Sequence, residues 1–350
     1  QERRKSSVNG KLALRDAIGK AQDGQWVRRA PDPKELQQKT EVHERGAVLV
    51  AAVFDAYLTI YKSRCKSLCR VAANGSGIIP SGDLHPDMVE LLANEAAKTA
   101  RHFLHIVIRA LDYCPPVDVD FGDYLRAMIT ADASVVGADP HNYRLALIDA
   151  FRQRGIYPRD VPNLASDTLL WQTPDEVEQR VYARLFADNG SSAFTLDWGL
   201  SMNRRAVFEN TRNSCIALHK RIRSLHKKGI LIPHLALGAD ALPSLFRGSD
   251  GTPTVEVHAI RPAHRITPEG EMVTELVVEL TQRRRGYLDP DVQRAVDRGD
   301  EPAADHDFIF RGGCTLIVDP RTGRVRYCIY KHIDSDERLN RMRDLLTGTS

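Results

Sequence analysis

The stretch of sequence that decides the fold of the first half of the chain is residues 47–61, AVLVAAVFDAYLTIY. It is apolar on nearly every face of a helix, which is typical of a helix buried on all sides. Asp55 interrupts the run, and its 15 residues are fewer than the roughly 18 to 20 that a transmembrane helix needs. The pattern therefore predicts a core helix and no membrane partner.

Start and stop signals predict further helices on both sides of this run. Prolines, capping side chains and apolar residues at three-to-four spacing mark them. The first predicted helices cover residues 11–22 and Pro86, capped by Asp83 or His85, to about Tyr113. One more begins after Asp120, and another runs from Asp139-Pro140 to a stop at Gly155. The last two run from the capping box at 173–176 to about 188 and over the basic segment 202–229. The first half of the chain is therefore predicted to be all-helical.

From residue 252 onward the apolar period changes to two, the period of a strand. Alternation runs through residues 255–259 and 273–279, and two more strands flank the turn sequence DPRTG at 319–323. Gly323 supplies the positive φ that such a hairpin turn needs. Because two strands alone are marginal in water, we expect a larger antiparallel sheet.

A closing helix is predicted over residues 335–346, with Ser335 as its N-cap. Its apolar residues recur at helical spacing, so the helix is predicted to pack on the sheet and to leave Arg321 and Arg324 exposed at the hairpin. These apolar residues are Leu339, Met342, Leu345 and Leu346. The predicted fold class is therefore α+β, with a helical first half and a smaller domain built on an antiparallel sheet.

Composition and charge exclude several classes of protein. Hydrophobic residues make up 42% and charged residues 27%, which is ordinary for a soluble globular chain. Lysine and arginine number 49 against 46 acidic residues, and this net charge of +3 does not favour nucleic acid or membrane as a partner. The six cysteines are too sparse for a disulfide scaffold, so we expect reduced thiols and a cytoplasmic setting.

The segment that stands apart is residues 42–48, VHERGAV, at the mouth of the apolar helix. His43 lies at the N-terminal end of that helix, where a ligand can reach it. Together with the alanines and Tyr57 that follow, the segment resembles the helix of the thermolysin-like (gluzincin) zinc metallopeptidases that bears their transition-state-stabilising histidine. Arg45 stands where that family has serine.

The resemblance continues over about residues 43–156, roughly a third of the chain. Its later pieces follow in the order of the family and are Ile108-Arg-Ala-Leu-Asp-Tyr113, Phe121, Leu125-Arg-Ala127, Ala150-Phe151 and Gly155-Ile156. The resemblance implies a lead-in segment of the catalytic domain at 1–42 and a helical peptidase-like lobe at 43–156. A helical connector at 157–251 and an α+β domain at 252–350 would follow.

The resemblance implies that His43 donates a hydrogen bond to the oxyanion of a tetrahedral intermediate, oriented by a nearby carboxylate. Gln38 occupies the position of that carboxylate here, so Glu41 and Glu44 are the orienting candidates. The family binds zinc through HExxH and a glutamate on a following helix, and no HExxH occurs in these 350 residues. Any zinc ligands are therefore expected outside this chain.

These expectations predict the C-terminal portion of a zinc-dependent endopeptidase, with a peptide or protein as substrate and the missing N-terminal half as a candidate partner. The completed enzyme would require zinc, whereas this chain alone is expected to bind none and to be inactive. The alternative is a non-catalytic module on the same scaffold that binds a protein or nucleic acid. An HExxH upstream in the reading frame would favour the enzyme.

Other candidate residues have plainer interpretations. His102 and His105 lie three apart on a helix, and they are interpreted as packing or surface residues because no acidic partner lies at matching spacing. Asp118, Asp120 and Asp123 are interpreted as helix-capping residues, since no EF-hand pattern completes them.

The segment 202–229 carries a basic surface, defined by Lys220, Arg221, Arg223, Lys227 and Lys228. A charge run without interleaved aromatic residues is typical of a solvated helix face. The alternative, a surface for nucleic acid or an acidic partner, is the less favoured interpretation.

Overall fold

The computed structural model describes residues 18–22, 25–75, 84–188, 191, 192, 194, 203–266 and 272–348. The chain divides into two compact units. The helical unit is Gln1–Leu111 with Asp120–Leu170, and the sheet unit is Asp112–Val119 with Trp171–Ser350. The segment 157–251, which the sequence assigned to a connector, is therefore shared between the two units.

The described part of the helical unit starts with a short hairpin and continues as helices. Its elements are β1 (Gly19–Gln22), β2 (Gln25–Arg28), α1 (Glu35–Gln38), α2 (Val42–Ala72), α3 (Pro86–Ala110), α4 (Phe121–Ala133), α5 (Tyr143–Gln153) and α6 (Ser166–Leu169). Helix α2 packs against α3 and α5, and α3 packs against α4. The long apolar helix of the sequence is thus the centre of this unit.

The predicted helix at residues 11–22 is wrong at its C-terminal end. Residues 19–22 form β1, which pairs antiparallel with β2. Most of the earlier residues of the predicted helix, up to residue 17, lie outside the described ones, as does the capping candidate Asp83.

Small residues on one face of α2 let it approach its neighbours closely. Ala47, Ala51, Ala52 and Ala56 are each at most 2% exposed, and their spacing places them on one side of the helix. The other side is partly open, because Val50 is 39% exposed. Helix α2 is therefore buried on one face, and the prediction that it is buried on all sides is wrong.

Asp55 interrupts the apolar run because it belongs to a buried ion cluster. Arg154, which is 1% exposed, donates to Asp55 Oδ2 from Nε at 2.8 Å and from Nη2 at 2.6 Å. Arg28 donates to Asp55 Oδ1 from Nε at 3.1 Å, and Glu35 lies 3.5 Å from Arg154. These residues, the Asp55 ion cluster, tie β2, α1, α2 and the end of α5 together.

Helix α2 is long and apolar enough to cross a membrane by length and composition alone. This is a weak indication, because the core helix of a soluble protein passes the same test. The buried alanines and the paired Asp55 are features of a helix packed inside a protein.

The sheet unit is built on a four-stranded antiparallel sheet of order β5-β6-β7-β8. Its described elements are α7 (Glu176–Phe186), β3 (Ala187–Asp188), β4 (Ser191–Ser192), α8 (Arg204–Lys227), β5 (Glu256–Ile266), β6 (Met272–Gly286), α9 (Pro290–Arg298), β7 (Phe308–Val318), β8 (Val325–Lys331) and α10 (Asp336–Thr347). The fold class is therefore α+β, as predicted, and the predicted larger antiparallel sheet is confirmed.

One face of the sheet forms the core of this unit together with α7 and α8. The strand register places Leu316 opposite both Val278 and Cys328, so these three side chains share a face. Tyr182 of α7 and Leu218 of α8 belong to the same buried cluster. Helices before residue 252 therefore complete the sheet core.

The opposite face of the sheet carries a buried charge. Glu275 is 1% exposed and accepts hydrogen bonds from Tyr113 Oη at 2.9 Å, Arg265 Nη2 at 3.0 Å and Arg326 Nη1 at 2.7 Å. The alternation at 273–279 predicted strand β6 correctly. One partner of the buried Glu275, Tyr113, comes from a distant part of the sequence.

The hairpin and the closing helix agree with most of their predictions. Gly323 has φ +70° in the turn between β7 and β8, and Arg321 and Arg324 are exposed. Ser335 caps α10 and accepts from the backbone N–H of Arg338 at 3.4 Å.

The apolar cover from α10 is smaller than predicted. Leu339 is buried beside Phe310 of β7, and Met342 is partly buried there. Leu345 and Leu346 are 69% and 55% exposed, so their predicted packing on the sheet is wrong.

The N-terminal cap of one helix, α7, differs from the prediction. Asp175, not Thr173, caps α7, and it forms a capping box with Glu178. Asp120 caps α4 in a box with Asp123, which confirms the capping role of both residues.

Candidate functional site

His43 lies in the first turn of α2, on the solvent side. The helix starts at Val42 because Glu41 acts as N-cap: its backbone is extended, and its Oε2 accepts from the backbone N–H of Glu44 at 2.9 Å. The side chain of His43 is 72% exposed. A ligand can therefore approach the imidazole directly, as the sequence predicted.

Glu41 also orients the imidazole. His43 Nδ1 lies 2.7 Å from Glu41 Oε1. The hydrogen bond from His43, supported by the one from the Glu44 backbone, lowers the pKa of Glu41 from 4.5 to about 2. The carboxylate is thus ionised at neutral pH and engages Nδ1, so Nε2 is the ring nitrogen that a ligand would meet.

The second orienting candidate, Glu44, faces another partner. Its Oε1 lies 3.3 Å from Nζ of Lys39. The contact with the imidazole is therefore assigned to Glu41. Gln38, which the sequence comparison with the resembling peptidases placed at their carboxylate, is the last residue of α1.

Arg45 holds the turn that leads into His43. Its Nη1 donates to the backbone oxygens of Leu36 at 3.0 Å and Lys39 at 2.9 Å. Glu35, at the start of α1 just before this turn, belongs to the Asp55 ion cluster through its contact with Arg154. Arginine at the position where the resembling family has serine thus has a structural role here: it fixes the backbone that carries Glu41.

His102 and His105 separate in the structure. His102 Nε2 lies 3.0 Å from Oδ1 of Asp132 on α4, and its ring lies 4.1 Å from the ring of Tyr143. His105 is exposed. Sequence spacing did not supply the acidic partner of His102, because Asp132 comes from another helix.

No group of three or more histidine, cysteine, aspartate or glutamate side chains in the described part of the chain is placed to hold a metal ion. His43 and Glu41 offer one nitrogen and one carboxylate that already face each other. The described residues therefore do not fit a resident zinc ion.

Two arginines of the basic surface on α8 already have partners elsewhere in the chain. Arg221 donates from Nη1 to the backbone oxygen of Leu185 at 3.3 Å, and Arg223 forms an ion pair with Asp250. The remaining members of the surface are exposed, and they are Lys220, Lys227 and Lys228.

Sequence analysis missed a second cluster of reactive side chains, which lies in the sheet unit. It joins the carboxylate of Glu178, which lies 3.2 Å from Nε2 of His234, the imidazole of His234, and the ring of Tyr330, on which that imidazole stacks. These residues come from α7, the loop after α8 and β8, so no local motif in the sequence marks them. Only the chemistry of their side chains could have suggested them.

Comparison with known proteins adds no family: no protein-family model, curated protein or solved structure matches this chain.

Proposed function

We propose that this chain is part of a zinc-dependent endopeptidase-like protein in which His43 stabilises the oxyanion. The observation that carries the proposal is the contact between His43 Nδ1 and Glu41 Oε1 at 2.7 Å, on an imidazole that is mostly exposed. The local resemblance of residues 42–48 to the thermolysin-like peptidases supports the same role.

The chemistry follows from charge development. When a nucleophile attacks a peptide carbonyl, negative charge grows on the carbonyl oxygen. A doubly protonated His43 would keep Nδ1–H on Glu41 and offer Nε2–H to that oxygen. Removing one such donor typically raises the barrier by about 2.7 to 4 kcal/mol, because the interaction strengthens toward the transition state.

The proposal places zinc and its ligands in sequence outside these 350 residues. Since the described residues do not fit a resident metal ion, this chain purified alone is predicted to hold less than one zinc per molecule. Elemental analysis of the purified chain checks this prediction. One tightly held zinc per chain would contradict it.

The test of the proposal is peptide hydrolysis by the complete protein that contains this chain. His43→Ala should lower kcat/KM by roughly 100- to 1,000-fold, the effect of losing one oxyanion donor. His85→Ala is the matched control, because His85 is an equally exposed N-cap histidine of α3 that lies 3.6 Å from Asp87. If His43→Ala leaves kcat/KM unchanged, the proposed role is wrong.

A binding module without catalysis is the second candidate function. It is favoured by the exposed lysines of the basic surface, Lys220, Lys227 and Lys228. Replacing these three by glutamine should abolish salt-dependent binding to an acidic polypeptide or a nucleic acid. A complete protein that hydrolyses peptides and binds neither polyanion would exclude this candidate.

A further inference from the structure

A cavity of about 60 Å³ lies beside α8 in the sheet unit, hereafter the α8 cavity. It is lined by one face of α8, by Leu237 and by the loop 248–255, which leads into β5. A cavity needs roughly 10 to 15 Å³ to hold one water, so the α8 cavity has room for several waters or for one small polyatomic ligand.

Part of the cavity wall is apolar and belongs to the core of the sheet unit. Ile222, Leu237 and Val255 line the cavity, and they are 2%, 3% and 6% exposed. Core side chains of this kind are closely packed and hold fixed positions. The shape of the α8 cavity is therefore set by the fold of the unit.

Three basic side chains of α8 line the same cavity. They are His219, Arg223 and His226, which lie four and then three residues apart, the spacing of neighbours along one face of a helix. The guanidinium carries five N–H donors and no acceptor, and each imidazole carries at least one N–H donor. The cavity thus gathers hydrogen-bond donors at a concave site.

One polar atom of this group has no partner in the described part of the chain. Nδ1 of His226 is buried, and none of the described residues forms a hydrogen bond with it. Buried polar atoms in proteins are normally paired, because an unpaired one loses its hydration without compensation. Since His226 lines the cavity, a molecule bound there is a source of such a partner from outside the chain.

The acidic residue at the cavity is already engaged by the protein. Asp250 forms an ion pair with Arg223, and its Oδ1 accepts from the backbone N–H of Thr252 at 3.2 Å. The contact with the Thr252 backbone, together with Arg223, lowers the pKa of Asp250, so the carboxylate is ionised. Asp250 therefore holds the guanidinium at the cavity.

Solvent reaches the α8 cavity at this ion pair. The side chains of Arg223 and Asp250 are 51% and 38% exposed. The loop contributes few donors of its own, because the backbone N–H groups of Gly248 and Thr252 are hydrogen-bonded within the loop. A ligand that enters would therefore depend on the side chains of α8.

These features favour a small oxyanion as the ligand. A cavity of this size excludes a folded peptide or a nucleic acid strand. The two imidazoles and Asp250 also do not form a metal site, since no metal-binding group of three such side chains occurs among the described residues. The exposed lysines of the basic surface, which lie on and just after the same helix, add positive potential around the cavity.

We propose that the α8 cavity binds a phosphate group, either inorganic phosphate or the terminal group of a phosphomonoester. Arg223 would donate from its planar fork, which matches the geometry of phosphate oxygens, and His219 and His226 would donate from their rings. The site is independent of the role proposed for His43. It is also distinct from a surface for polyanions, because it accepts a single small group.

The first experiment titrates the full chain with inorganic phosphate in an isothermal calorimeter, at constant pH and in a chloride buffer. We expect one phosphate per chain with a Kd of about 1 mM or tighter, and weaker binding of acetate, which has only two oxygens. Methyl phosphate in a parallel titration tells a phosphomonoester from free phosphate, since the better ligand binds more tightly. No binding of either phosphate up to about 10 mM, or acetate binding as tight as phosphate, would overturn the proposal.

Two variants test the side chains that the proposal names. Arg223→Gln and His226→Leu should each weaken phosphate binding by roughly 10- to 100-fold, the effect of losing one hydrogen bond to a charged group. Arg212→Gln is the matched control, because it removes the same charge from an exposed position of α8 outside the cavity. An equal loss in Arg212→Gln would show that the helix charge alone attracts phosphate, and this would refute the site.

The position of the ligand is read from the imidazoles by nitrogen-15 NMR of the full chain. Phosphate should shift the ring signals of His219 and His226 and leave those of His105, an exposed histidine of α3, in place. Circular dichroism shows whether His226→Leu is folded, and Arg223→Gln at its exposed position keeps the test decisive if it is not. Ring signals of His219 and His226 that do not move at saturating phosphate would contradict the proposal.

Discussion

The contact between Glu41 and His43 controls the charge of the carboxylate at the start of α2. Because the pKa of Glu41 is lowered from 4.5 to about 2, its contacts stabilise the fold above about pH 4.5, and this contribution is lost as the pH falls toward 2. His43→Ala should return the pKa of Glu41 part of the way to 4.5, since the hydrogen bond from the Glu44 backbone remains. Carbon-13 NMR titration of the Glu41 carboxylate measures this shift, with His85→Ala as control. A Glu41 pKa that stays near 2 without His43 would contradict the assignment.

Arg154 is the residue on which the Asp55 ion cluster depends most. Arg154→Met would remove the buried cation that Asp55 and Glu35 share and leave them only the more exposed Arg28 and Arg29, so the loss should approach the about 3 to 5 kcal/mol that breaking a buried pair typically costs. The matched control is Arg152→Met, two residues earlier, where the lost pair with Asp149 is half-exposed and worth at most about 1 kcal/mol. Urea unfolding followed by hydrogen exchange of the α2 amides measures both, and equal losses would contradict the prediction.

Residues whose partners lie close by in sequence could be predicted, and residues with distant partners could not. Glu41 was a candidate partner of His43 because both lie at one helix start, where capping rules apply. His234 was missed because Glu178 and Tyr330 reach it from distant segments. Chain topology, which a single sequence does not encode as a local pattern, brings these side chains together.

At the scale of elements, two glycines with nearly equal backbone angles separate conformational strain from close contact. Gly229 has φ +72° and has open space where a Cβ would lie, whereas Gly323 has φ +70° and a Cβ there would meet the backbone of Phe186 at 2.9 Å. Gly229→Ala should therefore cost only about 1 to 2 kcal/mol, the price of the left-handed conformation. Gly323→Ala should cost more, because the hairpin must also move away from the end of α7. Denaturation midpoints of both variants, followed by circular dichroism, check the order, and equal costs would show that the contact relaxes freely.

The periodicity of apolar residues predicted whether a segment is a helix or a strand, but it did not predict which faces of that element are buried. The period-two alternation at 273–279 predicted β6, and the turn at 319–323 predicted the hairpin of β7 and β8. The same patterns misjudged burial: α2 has an open face, and Leu345 and Leu346 of α10 are exposed. Burial depends on which neighbours cover a face, and for these elements the neighbours come from other parts of the chain.

At the scale of the whole molecule, the sheet unit starts well before its first long strand. Helices α7 and α8 pack on the same face as Cys328 and Leu316, so a truncation before Thr252 would remove half of this core. A cut at Leu170, the boundary between the units, would preserve α7 and α8 but still lose residues 112–119. The compact sheet unit therefore begins at Trp171 and includes residues 112–119, whereas the predicted sheet domain begins at residue 252.

Residues 112–119 belong to the sheet unit, although in sequence they lie just before α4 of the helical unit. Tyr113 donates to Glu275, and the backbone oxygen of Cys114 accepts from the hydroxyl of Thr315 at 2.8 Å. Tyr113→Phe removes one hydroxyl from a buried carboxylate, and hydrogen bonds to charged groups are worth about 1.5 to 3 kcal/mol. The variant should therefore accelerate hydrogen exchange of the β6 and β7 amides through a loss of that size.

Tyr124→Phe is the matched control for Tyr113→Phe, because it removes the same atom from the helical unit, where Tyr124 donates to the backbone oxygen of Val107 at 2.7 Å. This neutral hydrogen bond is worth about 1 kcal/mol, and its loss should raise exchange in α3 and α4. Hydrogen exchange read by mass spectrometry distinguishes the two patterns within one chain. If β6 and β7 exchange equally in the wild type and in Tyr113→Phe, residues 112–119 do not stabilise the sheet. Faster exchange confined to the sheet would establish that the sheet unit takes part of its stability from a segment inserted between helices.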